Sequence, residues 1–259
     1  MTTVPSSSAP RLVGRHALVT GSTSGIGRSI AMALAREGAT VVVSGRNKEA
    51  GDTVVQAIRS AGGVAHFVRA DLTEGGRAAG HLAQVAAESV GGPVNVLVNN
   101  AALLIPPQSL TEVDEQVADR ALAVNVKAPA LLAAALVPAM IEAGGGVVVN
   151  VGSINGAIGM SVAALYGATK AALHSLTASW AAELAPKGIR VNAVAPGPTM
   201  TEENAPFHDM LRDYAAASPD GRPGTSTEVA DAVVFLASDE AAHIHGAILP
   251  VDGGFLAAR

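Results

Sequence analysis

HALVTGSTSGIG, residues 16 to 27, is a short apolar run that leads into three glycines, Gly21, Gly25 and Gly27. SIAMALAREG follows with helical periodicity, so the segment predicts a strand, a glycine turn and a helix. Glycines at such a turn let the backbone approach a pyrophosphate, and the unpaired amides at the helix start face the phosphates. A plain tight turn is the ordinary alternative, but the flanking strand and helix favour nucleotide binding. The candidate cofactor-binding residues of this turn are Gly21, Ser22, Ser24, Gly25, Ile26 and Gly27.

Thr40 to Ser44 reads as a second strand and ends in Gly45-Arg46-Asn47. In dinucleotide folds an acidic side chain at this strand end bonds the adenosine ribose, and its charge repels a 2′-phosphate. Here Gly45 stands in that place and Arg46 follows, a planar fork suited to phosphate. NADP(H) is therefore expected over NAD(H), with Arg46 as phosphate ligand and Ser22 and Asn47 as further donors. Stacking of Arg46 on adenine, or simple solvation, is the competing account.

A second constellation lies in GSINGAIGMSVAALYGATK, Gly152 to Lys170. From Ala163 onward the residues predict a helix, which places Tyr166 and Lys170 on one face, a turn apart. A free phenol titrates near ~10, and a neighbouring cation favours its ionised form. Lys170 is thus expected to bring Tyr166 toward a working pH as proton donor and acceptor. Ser153 follows the apolar run GVVVNV, a buried strand by its composition. Taken alone, a Tyr–Lys pair is more often a half-buried ring beside a solvated charge.

Tyr-x-x-x-Lys with Ser153 thirteen residues before Tyr166, and the spacing Thr20-Gly21-x-x-x-Gly25-x-Gly27, resemble the classical short-chain dehydrogenase/reductase (SDR) family over about residues 11 to 256. The resemblance implies one α/β domain over 11–259, a doubly wound Rossmann-type fold. Its sheet would be mostly parallel and seven-stranded with helices on both faces; residues 1–10, by their own composition, read as a flexible tail. It implies that Asp71 and Leu72, after the strand Val64 to Arg69, hold the adenine edge; helix capping is the ordinary alternative for Asp71. Asn99-Asn100-Ala101-Ala102, after the strand Val94 to Val98, matches the family's Asn-Asn-Ala-Gly except at Ala102. Asn99 and Ala101 are cofactor contacts by this resemblance, and the methyl of Ala102 lies beside the ribose path. By the same resemblance Asn125 is a fourth catalytic residue, bonding backbone and a water that links Lys170 to solvent. Pro196, Gly197, Thr199 and Thr201, after the strand Ile189 to Val194, hold the nicotinamide carboxamide, and Tyr166 and Lys170 also touch the cofactor.

Of 259 residues 49% are apolar and only 3% aromatic, which predicts a core of Ala, Val and Leu. A net charge of -5 gives no footprint for nucleic acid or an anionic membrane. The absence of cysteine excludes a disulfide frame and thiolate chemistry. MTTVPSSSAP lacks the apolar segment of a signal peptide, and the longest apolar stretch, Ala128 to Ile141, is short for a membrane span. A soluble, cytoplasmic protein is expected. His243 and His245 have no third ligand at metal spacing, so no metal is expected.

Asp114 to Ala143 is a helical pattern apolar on more sides than a sheet can cover, which predicts a partner subunit. Family resemblance implies a homotetramer, with a dimer as the smaller alternative. Glu202 to Ser218 carries Phe207, Met210, Leu211 and Tyr214 amid acids and proline and predicts a mobile lid. Leu103, Leu104, Ile105 and Met160 point to an apolar small-molecule ketone or alcohol as substrate. The expected activity is NADPH-dependent carbonyl reduction: Tyr166 protonates the oxygen, Ser153 orients it, Lys170 tunes the phenol and Asn125 supports proton relay. A polyol, sugar or hydroxysteroid dehydrogenase is the alternative. A 3-ketoacyl-carrier-protein reductase is disfavoured, because Ile141-Glu142-Ala143 offers an acidic carrier no positive charge and leaves Lys187 isolated. A nucleotide-binding regulator without turnover is disfavoured by the intact Asn, Ser, Tyr and Lys set.

Overall fold

Runs of valine at 41–43 and 147–149 suit only a strand covered on both faces, because their β-branched side chains show no alternation with polar ones. In the computed structural model, which describes residues 9–258, both runs lie on interior strands of one sheet. Its strands are β1 (His16–Thr20), β2 (Thr40–Gly45), β3 (Val64–Arg69), β4 (Val96–Asn99), β5 (Gly146–Val151) and β6 (Ile189–Pro196). Two short strands that pair with each other follow, β7 (Thr199–Met200) and β8 (Gly224–Thr225), and then β9 (Ile248–Val251) completes the main sheet. The order β3-β2-β1-β4-β5-β6-β9 is parallel throughout. The expected flexible tail falls almost wholly on residues outside those described.

Successive side chains of a strand point to opposite faces, and the core divides accordingly. Val41, Val43, Val147 and Val149 pack under α1 (Gly25–Arg36), α2 (Lys48–Ser60) and α8 (Ser226–Ala237). Val42 and Val148 pack under α3 (Gly76–Val90), α5 (Ala128–Glu142) and the far end of α6 (Ala164–Leu184). The strand order reverses direction between β3 and β4, so the connections leaving β1 and β4 diverge. A crevice opens at their carboxyl ends.

The long helical pattern is not one uniform helix. Between α4 (Glu115–Leu122) and α5 lies a single π turn, Ala123–Lys127, which places the buried Asn125 within the run. Because that turn continues the helix, Glu115–Glu142 reaches 28 residues and is long and apolar enough to cross a bilayer, more than the sequence run suggested. Half of its most apolar window is buried inside the chain against α3 and the sheet, as in a core helix.

One polar thread crosses this apolar lattice. Asn99 Nδ2 donates to Asn150 Oδ1 at 2.9 Å, and Asn150 Nδ2 donates to Thr177 Oγ1 at 2.9 Å, all three residues being buried. Asn99 therefore faces the core, against the expectation that it contacts cofactor. Its neighbour Asn100 takes the outward position, since adjacent side chains alternate at a strand end.

Candidate active site

The glycine turn joins β1 to α1 at the crevice. Gly21 has φ +60, and a Cβ there would stand 2.8 Å from Ala101 Cα. A Cβ on Gly27 would collide with the Gly21 carbonyl oxygen and with Asn100 Nδ2. Asn100 fixes the turn from β4: its Nδ2 donates to the carbonyls of Thr20 and Gly21 at 2.9 Å each. Thr20 Oγ1 in return accepts from the amides of Asn100 and Ala101 at 3.0 Å each. Thr23, Ser24, Ile26 and Gly27 line the cleft. Ser22 does not. It is fully buried, donating to Val19 O at 2.7 Å and accepting from Ser44 N at 2.9 Å, so the expected phosphate donor is a strut between β1 and β2. Gly25 also lies outside the cleft lining, with Glu203 packed against it.

At the far end of the cleft, a Cβ on Gly45 would stand 2.7 Å from Thr23 Cγ2. Thr23, which sequence reasoning passed over, thus fills the space an acidic side chain would need. Arg46 lines the cleft beside Asp71 and Leu72, and Arg69 Nε donates to its carbonyl at 3.1 Å. Burial pushes the Asp71 carboxylate up, but the Thr73 hydroxyl and amide, with Arg46 and Arg69, outweigh it and hold Asp71 below its ordinary value. Asp71 also caps the turn Leu72–Glu74 through Thr73, so both roles considered for it are geometrically available. Asn47 is not part of the cleft lining; its carboxamide accepts from Ala50 N at 3.0 Å and caps α2.

β5 and the start of α6 bring the catalytic candidates together. Ser153 is buried two residues past β5, its Oγ accepting from Asn155 N at 3.2 Å and facing the Tyr166 phenol closely enough to favour its ionised form. Lys170 Nζ lies 5.6 Å from the centre of the Tyr166 ring and donates to Val151 O at 2.8 Å. Burial pushes the Tyr166 phenol up to about 12, with the Ser153 hydroxyl pulling the other way. Burial also brings the Lys170 ammonium down to about 8. The expectation that Lys170 draws the phenol toward neutrality is not met within the chain itself. Desolvation wins there, because it penalises both charged forms at once.

Asn125 is buried with its carboxamide engaged: Oδ1 accepts from Leu103 N at 2.7 Å, and Nδ2 donates to Leu103 O at 3.2 Å and to Thr169 Oγ1 at 3.1 Å. Both Nδ2 hydrogens are thus used within the protein, and it is Val124 that reaches the cleft wall. The backbone bond expected of Asn125 is present, and its anchor is the loop after β4. Val162 stands at φ +57, a costly conformation for a β-branched residue. Its carbonyl accepts from Gln108 N at 2.9 Å, which ties the loop before α6 to the loop after β4.

Pro196, Gly197, Thr199 and Thr201 line the opposite wall. Asn204, unremarked in the sequence, frames this turn: its Nδ2 donates to Thr199 O at 2.8 Å and its Oδ1 accepts from Thr201 N at 3.0 Å. The segment read as a lid carries a short helix, α7 (His208–Ala215), and Phe207, Met210, Leu211 and Tyr214 face the cleft with Leu103, Ile105 and Met160 opposite. Tyr214 stacks on Phe255 with ring centres 5.6 Å apart. Among the described residues no group of three metal-ligating side chains occurs.

The cradle suits a dinucleotide: a turn too tight for side chains, a helix start whose amides favour an anion, and a cleft of about 560 Å³ continuing to Tyr166. A family model described as Enoyl-(Acyl carrier protein) reductase matches residues 21–256. The chain is 43% identical to a cis-4-hydroxycyclohexanecarboxylate dehydrogenase of Sinomonas cyclohexanicum, over 94% of this chain and 97% of the relative. It is 39% identical to a cyclopentanol dehydrogenase of Comamonas sp. (strain NCIMB 9872), over 95% and 99%. The crystal structure of a 3-oxoacyl (acyl-carrier-protein) reductase from Agrobacterium tumefaciens C58 with NADP bound is similar at a TM-score of 0.89 and 35% identity, covering 95% of this chain and 96% of that one. The chain belongs to the short-chain dehydrogenase/reductase family and is a nicotinamide-dependent oxidoreductase acting on CH–OH groups.

Proposed function

We propose that this enzyme interconverts neutral, apolar ketones and secondary alcohols with NADP(H), working as a carbonyl reductase. The observation that carries this reading is the lining of the cleft beyond Tyr166. Leu103, Ile105, Met160, Phe207, Met210 and Leu211 supply its walls, and the cations that line the cleft are Arg46 at the far end and Lys170 behind Tyr166. A carboxylate on the substrate would find no guanidinium or ammonium of its own there, and a polyol would have only a few polar side chains, Asn155, Ser161 and Tyr214 among them, to meet its hydroxyls. Turnover of cyclohexanone, cyclopentanone and open-chain 2-ketones, set against galactitol, gluconate and 4-hydroxycyclohexanecarboxylate, tests this. A higher kcat/KM for the charged or polyhydroxylated compounds would overturn it.

A nicotinamide bound along the cleft would supply or accept the hydride. The chain handles the proton. With its phenol held near 12, Tyr166 is protonated throughout the working range and can donate to a carbonyl oxygen as that oxygen gains charge. The Ser153 hydroxyl, which faces Tyr166, would orient the same oxygen and stabilise its developing charge. Lys170, with its ammonium anchored on Val151 O, would hold the nicotinamide ribose, and added positive charge in the loaded site favours the phenolate that alcohol oxidation requires. Asn125 would support proton relay by fixing the Leu103 backbone beside Thr169.

NADP(H) preference rests on Arg46 and on the missing carboxylate at Gly45. Arg46→Ala is expected to weaken NADPH by about 1.5 to 3 kcal/mol, the worth of a charge-assisted bond, with a much smaller effect on NADH. Titration of both cofactors against both proteins checks it, and tighter NADH binding by the wild type would reverse the assignment. A cytoplasmic homotetramer completes the proposal. Ala134, Ala135, Pro138 and Ala139 form an exposed apolar face on α5, of a kind that partner subunits cover. Sedimentation as a monomer at micromolar concentration would remove that part.

A further inference from the structure

Glu203 places a carboxylate at the start of α1, beside the glycine turn. Ser24, the residue preceding α1, makes no capping bond to its own helix, and the first turn of α1 contains no acidic residue. The Ser24 hydroxyl donates instead to Glu203 Oε1, 179 positions further along the chain. The other carboxylate oxygen, Oε2, stands 2.9 Å from where a Cβ on Gly25 would be. Next to it, Glu202 Oε1 pairs with Arg28 Nη2 on α1 at 2.7 Å. Two acids that open the lid segment are thereby fastened to the start of α1, and Glu203 lines the same stretch of cleft as Thr23, Ser24 and Gly27. A helix start favours negative charge, and here the chain supplies one from its own lid.

We propose that Glu203 is an internal anion that occupies the diphosphate position in the cofactor-free protein and must swing out before cofactor enters. This rests on the reading of the glycine turn as the diphosphate site. Two anions cannot share that position without strong repulsion, so displacement of Glu203 couples lid opening to cofactor entry. Glu202 lies outside the cleft lining, and its pairing with Arg28 does not compete with a ligand. A latch closed nine-tenths of the time weakens apparent affinity by about tenfold relative to the open form.

The test follows NADPH fluorescence in stopped flow for the wild type, Glu203→Gln and Glu202→Gln, with inorganic pyrophosphate as a competing probe. Glu203→Gln is expected to tighten NADPH binding by about three- to tenfold, with the gain in the association rate. The inhibition constant of pyrophosphate should fall by a similar factor in Glu203→Gln, while Glu202→Gln leaves it unchanged. Unaltered NADPH and pyrophosphate affinities in Glu203→Gln would overturn the latch, as would a gain confined to slower dissociation, which would signify repulsion in the loaded state instead. A wild-type protein that binds neither NADPH nor NADH would overturn the reading of the glycine turn, and the latch with it.

Discussion

Tyr166→Phe is expected to lower kcat by at least about a hundredfold while leaving fold and cofactor affinity in place, since it removes one proton donor and nothing else. The chain contains only two tyrosines, Tyr166 and Tyr214, so an ultraviolet titration of the wild type minus the variant isolates the Tyr166 phenol. In the cofactor-free protein that phenol should ionise above free tyrosine, near the value of about 12 that burial imposes. Its folded pKa exceeds its unfolded one, so the folded state loses stability as pH rises between the two, well above the working range. Adding oxidised cofactor should move the ionisation down, and Lys170→Met should reduce that movement. Near-normal turnover by Tyr166→Phe would show that the proton comes from elsewhere.

Gly27→Ala should be the most damaging single methyl in the chain. Its Cβ would collide with the Gly21 carbonyl oxygen and with Asn100 Nδ2, and neither can retreat without undoing the bonds that join the turn to β4. Overpacking of this kind costs about 1 to 3 kcal/mol of stability. Because the displaced backbone is the cradle itself, cofactor affinity is expected to fall by about a hundredfold or more, roughly 2.7 kcal/mol. Gly80→Ala is the control: nothing lies within 4 Å of its Cβ position, so the same methyl in α3 should stabilise by about 0.5 to 1 kcal/mol. NADPH titration and thermal unfolding of both variants report the two effects; normal binding by Gly27→Ala would mean the turn has room to spare.

What the sequence made legible is local. A strand, a glycine turn and a helix within twenty-one residues, and a Tyr and Lys one helical turn apart, carry their geometry in their spacing. The rest depends on phase or on distance along the chain. Ser22 and Thr23 are adjacent, as are Asn99 and Asn100, and which of each pair faces the cleft is fixed by the end of a strand that spacing locates only to within a residue or two. The Tyr166 ionisation is not legible in the sequence because a neighbouring cation can be read from spacing, whereas desolvation by β5, α6 and the loops around them cannot. The contact between Ser24 and Glu203 joins segments that no local pattern connects.

The thread of Asn99, Asn150 and Thr177 has a consequence for how the chain finds its fold. Valines repeat along β5 with so little variation that sliding it two places past β4 would keep every side chain on its proper face and cost the apolar layers almost nothing. The slide would set Asn99 opposite Val148 and strand Asn150, leaving buried amide groups unpaired at about 1 to 3 kcal/mol apiece. A few amide and hydroxyl bonds therefore act as a vernier on an otherwise featureless scale. They select the one alignment in which Ser153, two residues beyond β5, arrives beside the phenol.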